Sequence, residues 1–355
     1  MINRTKFVFV IIVVLFIGAL LLVWRYSQTQ NDNLTRVAEL SRQGTVALGQ
    51  GNYEEAVKNY KSALSLAPNK DVEAQNKLKL GQALMTTRKA EAMEVFKEIA
   101  ADTSFDKGIR ARAVNLMAQE LSATHDTVFA SKYIFTGDPY ASFLVNNDFE
   151  LAELKLREYS LSIYPTATPA FRVALWYINE LSQNRNSALD QKTEEEFKNQ
   201  VRKYYQLGSE LLLNESGQGG IFEQANAIGQ QGLVLGYLAS IGEKDPSEVE
   251  KLYEMALEMI SLHPSDVNLK NLGFYLRFHY AAVLKNLHGE SRNDAIKKIL
   301  MPFTPQMTKN TYFEKFLASE NDPLHGQHHH HQDIIDLAAI SPEFKLVAES
   351  AGWKF

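Results

Sequence analysis

One pattern that returns along the chain limits its fold more than any other feature. Segment 37–70 reads VAELSRQGTVALGQGNYEEAVKNYKSALSLAPNK. A small residue, Gly44, sits inside a first helical stretch, and Gly51-Asn52 follow as a turn. A second stretch then carries Ala56, Tyr60 and Ala63, and Pro68 ends it. Each choice has a physical reason. Two antiparallel helices approach closely only where side chains are small, so Gly44 is expected to face Ala56 and Ala63. Tyr60 would fill the volume between neighbouring hairpins. Glycine, and to a lesser degree asparagine, adopts positive φ cheaply in a tight turn. Proline cannot continue a helix. The pattern then repeats: Ala92, Phe96 and Ile99 follow Ala56, Tyr60 and Ala63 by 36 positions each, and Gly81 follows Gly44 by 37.

Fainter echoes extend further. Asn147 to Ala152 parallel Gly51 to Ala56 at an offset of 96, and Ala174 and Tyr177 offer another small-aromatic pair. Segment 279–300 again suggests helix, glycine turn, helix. Segment 105–137 holds one amphipathic helix without an obvious partner. Helix starts are signalled where an oxygen-bearing cap precedes proline, at Asp138-Pro139, Thr168-Pro169, Asp245-Pro246 and Ser341-Pro342, and Thr193-x-x-Glu196 has capping-box spacing. No sustained period-2 run with a hairpin turn occurs. The expectation is an all-α chain.

These residues resemble the tetratricopeptide (TPR-like) repeat, closely over 37–104 and loosely over 138–183 and 230–305. The resemblance implies an α-solenoid of helical hairpins. The recurrence exceeds the roughly 34 residues of that repeat, so small insertions are expected in the turns. It also implies a partner groove lined by the first helix of each repeat. Carried over by position, that groove comprises Ser41, Thr45 and Leu48, then Leu78, Gln82 and Met85. It lacks the Lys and Asn of the chaperone-tail binders, so it suits an extended peptide or amphipathic helix better than an acidic tail. The implied function is a scaffold or adaptor that binds protein partners, not an enzyme. The structural residues of the pattern are Gly44, Gly51, Ala56, Tyr60, Ala63, Pro68, Gly81, Ala92 and Phe96.

A second feature lies at the N-terminus. Phe7 to Trp24 is apolar and uncharged. As a helix it would span roughly 27 Å, near the thickness of a bilayer core. A cleaved signal peptide would end in small residues, whereas LLVWRYSQTQ offers none of the right kind. The expectation is therefore an uncleaved transmembrane signal anchor in a bacterial cytoplasmic membrane. Flanking charges are nearly balanced, and the short basic tail favours an inside N-terminus with the helical domain outside. That plan resembles bacterial envelope TPR proteins in secretion or envelope assembly. The expected division is 1–27 cytoplasmic tail and anchor, 28–36 polar linker, 37–104 two TPR-like repeats, 105–310 divergent helical repeats, and 311–355 capping helices with a His-rich loop.

Composition narrows the chemistry. The chain has no cysteine, which removes disulfides, thiolate nucleophiles and Cys-ligated zinc. A formal charge of −5 gives it no general attraction for nucleic acid. Neither a P-loop nor H-E-x-x-H nor G-x-S-x-G occurs. No catalytic residue and no cofactor is expected. His325, His328, His329, His330 and His331 could bind a transition metal, which would make the chain a metal- or pH-responsive sensor. The competing reading is a solvated loop. His279, in an aromatic-rich helix, reads as a packed core histidine.

Overall fold

The computed structural model describes residues 4–124, 126–183, 189–215, 220–309, 311–321 and 330–355. Every element among them is helical. The chain divides into two compact units, Met1–Ile109 and Arg110–Phe355.

In the first unit, helix α1 runs unbroken over Arg4–Gly49. The expected polar linker at 28–36 is part of it. No glycine or proline interrupts that stretch, and Thr29 and Thr35 bond their hydroxyls back to the carbonyls of Arg25 and Asn31 within the helix. The expected membrane anchor is overturned: among the described residues, no helix is long and apolar enough to cross a membrane. Side chains 7–16 and 19 of the apolar run lie outside the described residues. The single-pass localisation and the inside-to-outside topology fall with the anchor.

The first hairpin joins α1 to α2 (Tyr53–Leu64). Gly51 takes φ +78°, and Asn52 N–H reaches back to the Ala47 carbonyl at 2.8 Å, closing the helix end. Ala56, Tyr60 and Ala63 are fully buried. The partner of Gly44 differs from expectation: it is the Tyr60 ring, and a Cβ on Gly44 would lie 2.8 Å from it. The aromatic thus packs inside its own hairpin. The second hairpin, α3 (Lys70–Thr87) with α4 (Lys89–Ala101), repeats the device, with the Phe96 ring 2.4 Å from a Cβ placed on Gly81. The lengthening of the repeat does not lie in its inner turn. Arg88 alone connects α3 to α4, while α3 itself is 18 residues long.

The second unit opens with most of α5 (Lys107–Thr124), the amphipathic helix without an obvious partner. Its partner is α7 (Phe149–Ile163). The Ser160 hydroxyl donates to the Ala111 carbonyl at 2.8 Å, and buried Arg157 donates to Asn115 Oδ1 at 3.0 Å and to Glu153 at 2.8 Å. Between them lie a short turn α6 (Thr127–Phe129), a π-helical turn Ala130–Ile134 and a 3-10 turn Tyr140–Phe143. Asp138-Pro139 therefore starts no α-helix. Its peptide bond is cis and only the 3-10 turn follows. Ala152 and Leu156 are fully buried, as are Ala56 and Tyr60 at the matching offset.

Helices α8 (Ala167–Gln183) and α9 (Gln191–Glu215) pair next, with the Phe171 ring against Gly208. Asp190, not Thr193, caps α9: its carboxylate accepts from both the backbone N–H and the hydroxyl of Thr193. Helices α10 (Ile221–Ser240) and α11 (Pro246–Ser261) form another hairpin of the first kind. Gly242 at φ +82° closes α10 as Gly51 closes α1, with Glu243 N–H on the Leu238 carbonyl at 2.9 Å. The Tyr253 ring covers Gly232, and Val249, Tyr253 and Ala256 are fully buried at the spacing of Ala56, Tyr60 and Ala63. The remaining helices are α12 (Val267–His288), α13 (Asn293–Leu300), α14 (Pro305–Thr308), α15 (Tyr312–Asn321), α16 (His331–Ile340) and α17 (Pro342–Ser350). The last two close the C-terminal core: Phe344 stacks near Phe278 at 5.9 Å, and the Trp353 indole donates to the Leu317 carbonyl at 2.8 Å.

Candidate protein-interaction surfaces

In the first unit the residues carried over as a groove do not all reach the surface. Thr45 is exposed, and Ser41, Leu48, Gln82 and Met85 are partly exposed. Leu78 is 5% exposed and belongs to the core. The reason is its helix: α3 is packed by α2 on one side and α4 on the other. Thr45 is held in place twice, donating to the Ser41 carbonyl at 2.9 Å and meeting the Tyr60 hydroxyl at 3.1 Å.

Sequence reasoning missed Lys79. Its ammonium donates to Ser41 Oγ at 3.2 Å, bringing a positive charge to a face expected to be neutral. The signal was its place one residue after Leu78, on the side of α3 that turns toward α1. Elsewhere on the unit, Arg88 links Glu54 and Glu91, and Lys61 pairs with Glu91 across helices. Every partner in these pairs is more than a third exposed, so each pair adds little to stability.

The second unit carries a half-exposed aromatic group built by α8 and α9. Trp176 meets Tyr177 at 5.1 Å and Phe197 at 6.4 Å, and Tyr177 stacks on Tyr204 at 6.4 Å. Helix α7 lines one side. The Trp176 indole donates to the Glu150 carbonyl at 3.1 Å, and the Tyr204 hydroxyl donates to Glu158 at 3.3 Å. The Glu150 carboxyl is pushed up to about 7, first by burial and then by Glu180, Asp148 and Glu153.

The histidines divide. His325, His328 and His329 lie outside the described residues. His330 bonds Asp333 through Nδ1 at 3.2 Å just ahead of α16, and His331 begins that helix. Among the described residues no group of three or more metal-binding side chains occurs. His279 is 3% exposed, wedged against Tyr275 at 4.2 Å and His330 at 4.9 Å, and its Nε2 makes no hydrogen bond. Burial, then the neighbouring His330 and Arg172, hold it well below the ordinary histidine range.

Residues 37–70 match the family model of the tetratricopeptide repeat. No curated protein and no solved structure matches the chain. The matched segment is the first hairpin with its following turn, where a ring packs on a glycine. Repeats of this kind suggest a scaffold for protein–protein interaction.

Proposed function

We propose that the chain is a protein-interaction scaffold whose first unit holds a partner segment along α1 and α3. The observation that carries this reading is the tandem of two hairpins with the same internal packing, beginning in the stretch that matches the tetratricopeptide repeat. The paired first helices present Ser41, Thr45, Leu48, Gln82 and Met85, a mixed polar and apolar strip. Such a strip suits an extended peptide or an amphipathic helix, whose main chain needs hydrogen-bonding groups and whose side chains need apolar contact. Lys79 adds one cation to the strip. The role requires no catalytic group.

The test is photo-crosslinking in cells from Thr45 and Gln82, with Glu55 on the exposed face of α2 as control. One protein partner trapped from both groove positions and not from Glu55 supports the reading. Equal yields from all three positions would refute it.

A further inference from the structure

We propose that the aromatic surface of the second unit is a docking site for a lysine- or arginine-bearing segment of a protein partner. The proposal rests on the scaffold reading but uses a different surface. Four rings, Trp176, Tyr177, Phe197 and Tyr204, lie within 6.4 Å of their neighbours and are all only half-buried. Aromatic faces attract cations through their quadrupole, and tryptophan does so best.

Carboxylates approach the rings at two points. Glu158 holds the Tyr204 hydroxyl, and Glu158 and Glu196 are both close enough to Tyr177 to act on its ionisation. The Glu150 backbone carbonyl accepts from the Trp176 indole. Among the described residues none of Glu150, Glu158 and Glu196 forms an ion pair, whereas Glu153 is consumed by buried Arg157. Burial first, and then Glu180, Asp148 and Glu153, push the Glu150 carboxyl up to about 7. A cation arriving here would meet Glu158 and Glu196 and gain a ring face at the same time. The protein's own chain already shows the preference: Lys203 places its ammonium 4.9 Å from the Tyr204 ring centre. An acidic or purely apolar segment would leave the carboxylates uncompensated.

The experiment uses the full chain and two fluorescein-labelled octapeptides, one of alternating Lys and Gly, the other of alternating Glu and Gly. Fluorescence anisotropy at low salt should show the basic peptide binding about ten-fold or more tightly than the acidic one. Glu158→Gln with Glu196→Gln should weaken it about three- to ten-fold, and Trp176→Leu should do likewise. Circular dichroism checks that each variant remains folded, and the glutamine pair changes only partly or fully exposed side chains. Equal binding of the two peptides, or basic-peptide binding unaffected by the glutamine pair, would overturn the proposal. Crosslinking from Thr45 and Gln82 reads the first unit separately, so either claim can fail while the other stands.

Discussion

Which glycines matter follows from what a methyl group would meet. At Gly81 a Cβ would sit 2.4 Å from the Phe96 ring, and that ring is fully buried with no room to retreat. At Gly273, also inside a buried helix, the nearest atom would be Ile260 Cγ2 at 3.4 Å, an ordinary contact. Alanine is the better helix former by about 1 kcal/mol at either site. Overpacking a core costs about 1–3 kcal/mol. Gly81→Ala should therefore lose up to about 2 kcal/mol net, while Gly273→Ala should gain up to about 1 kcal/mol. Urea denaturation checks both. Adding Phe96→Leu to Gly81→Ala should recover part of the loss, because the two residues share one contact. If both glycine variants lose equally, helix packing on the glycine is not the cause. The same scale shows where reading residues by position stopped working. Thr45 and Gln82 came to the surface, but Leu78, assigned by the same offset, is buried, and its neighbour Lys79 reaches Ser41. An offset preserves chain position, and on a helix one residue is a rotation of about 100°.

Hairpins were legible when their turn and their packing residues lay close together in sequence. Gly51, Ala56, Tyr60 and Ala63 span a dozen or so positions, and one glance at them fixes both helices. The pair α5 and α7 was not legible, because the segment between them holds three short turns and no closing glycine of that kind. The pair α10 and α11 was half legible. Its buried Val249, Tyr253 and Ala256 keep the spacing, but Gly232 lies farther from its ring than Gly44 does, so the offset search passes over it. The aromatic surface had only a partial linear signature: Tyr177 fell in a small-aromatic pair, but α7, α8 and α9 each contribute part of it, and chain order does not bring them together. The turn shared by the two good hairpins yields a prediction at this scale. Gly242 adopts φ +82°, and a Cβ placed on it would meet nothing within 4 Å, so strain there is purely backbone. Gly242→Ala should cost about 1–2 kcal/mol, read by thermal denaturation, and Gly242→Asn should cost less because asparagine tolerates the left-handed region. Equal losses for both would mean that lost space, not backbone conformation, sets the cost.

At the scale of the whole second unit, buried His279 and partly buried Glu150 tilt stability in opposite directions with pH. His279 is held well below its ordinary value of 6.5 by burial, then by His330 and Arg172, and no acceptor meets its Nε2. The unfolded chain binds a proton below about 6.5 that the folded chain refuses. Its contribution is therefore intact above that pH and is lost as pH falls. Glu150 behaves the other way. Its folded value of about 7 exceeds the ordinary 4.5. The unfolded chain releases that proton first, so stability is lost as pH rises from about 4.5 to about 7 and is flat beyond. Solvent around the half-exposed Glu150 screens its share. The two slopes oppose each other between about 4.5 and 6.5, which would hide both in the wild-type curve. Single variants should separate them. Glu150→Gln should raise Tm at pH 8 and leave it nearly unchanged near pH 4, exposing the acid-side fall of His279. His279→Phe, which keeps a flat ring among Tyr275, Phe278 and His330, should flatten the acid side and leave the decline toward pH 7. A uniform shift of the Tm curve at every pH, for either variant, would show that the group it removes does not titrate as its surroundings dictate.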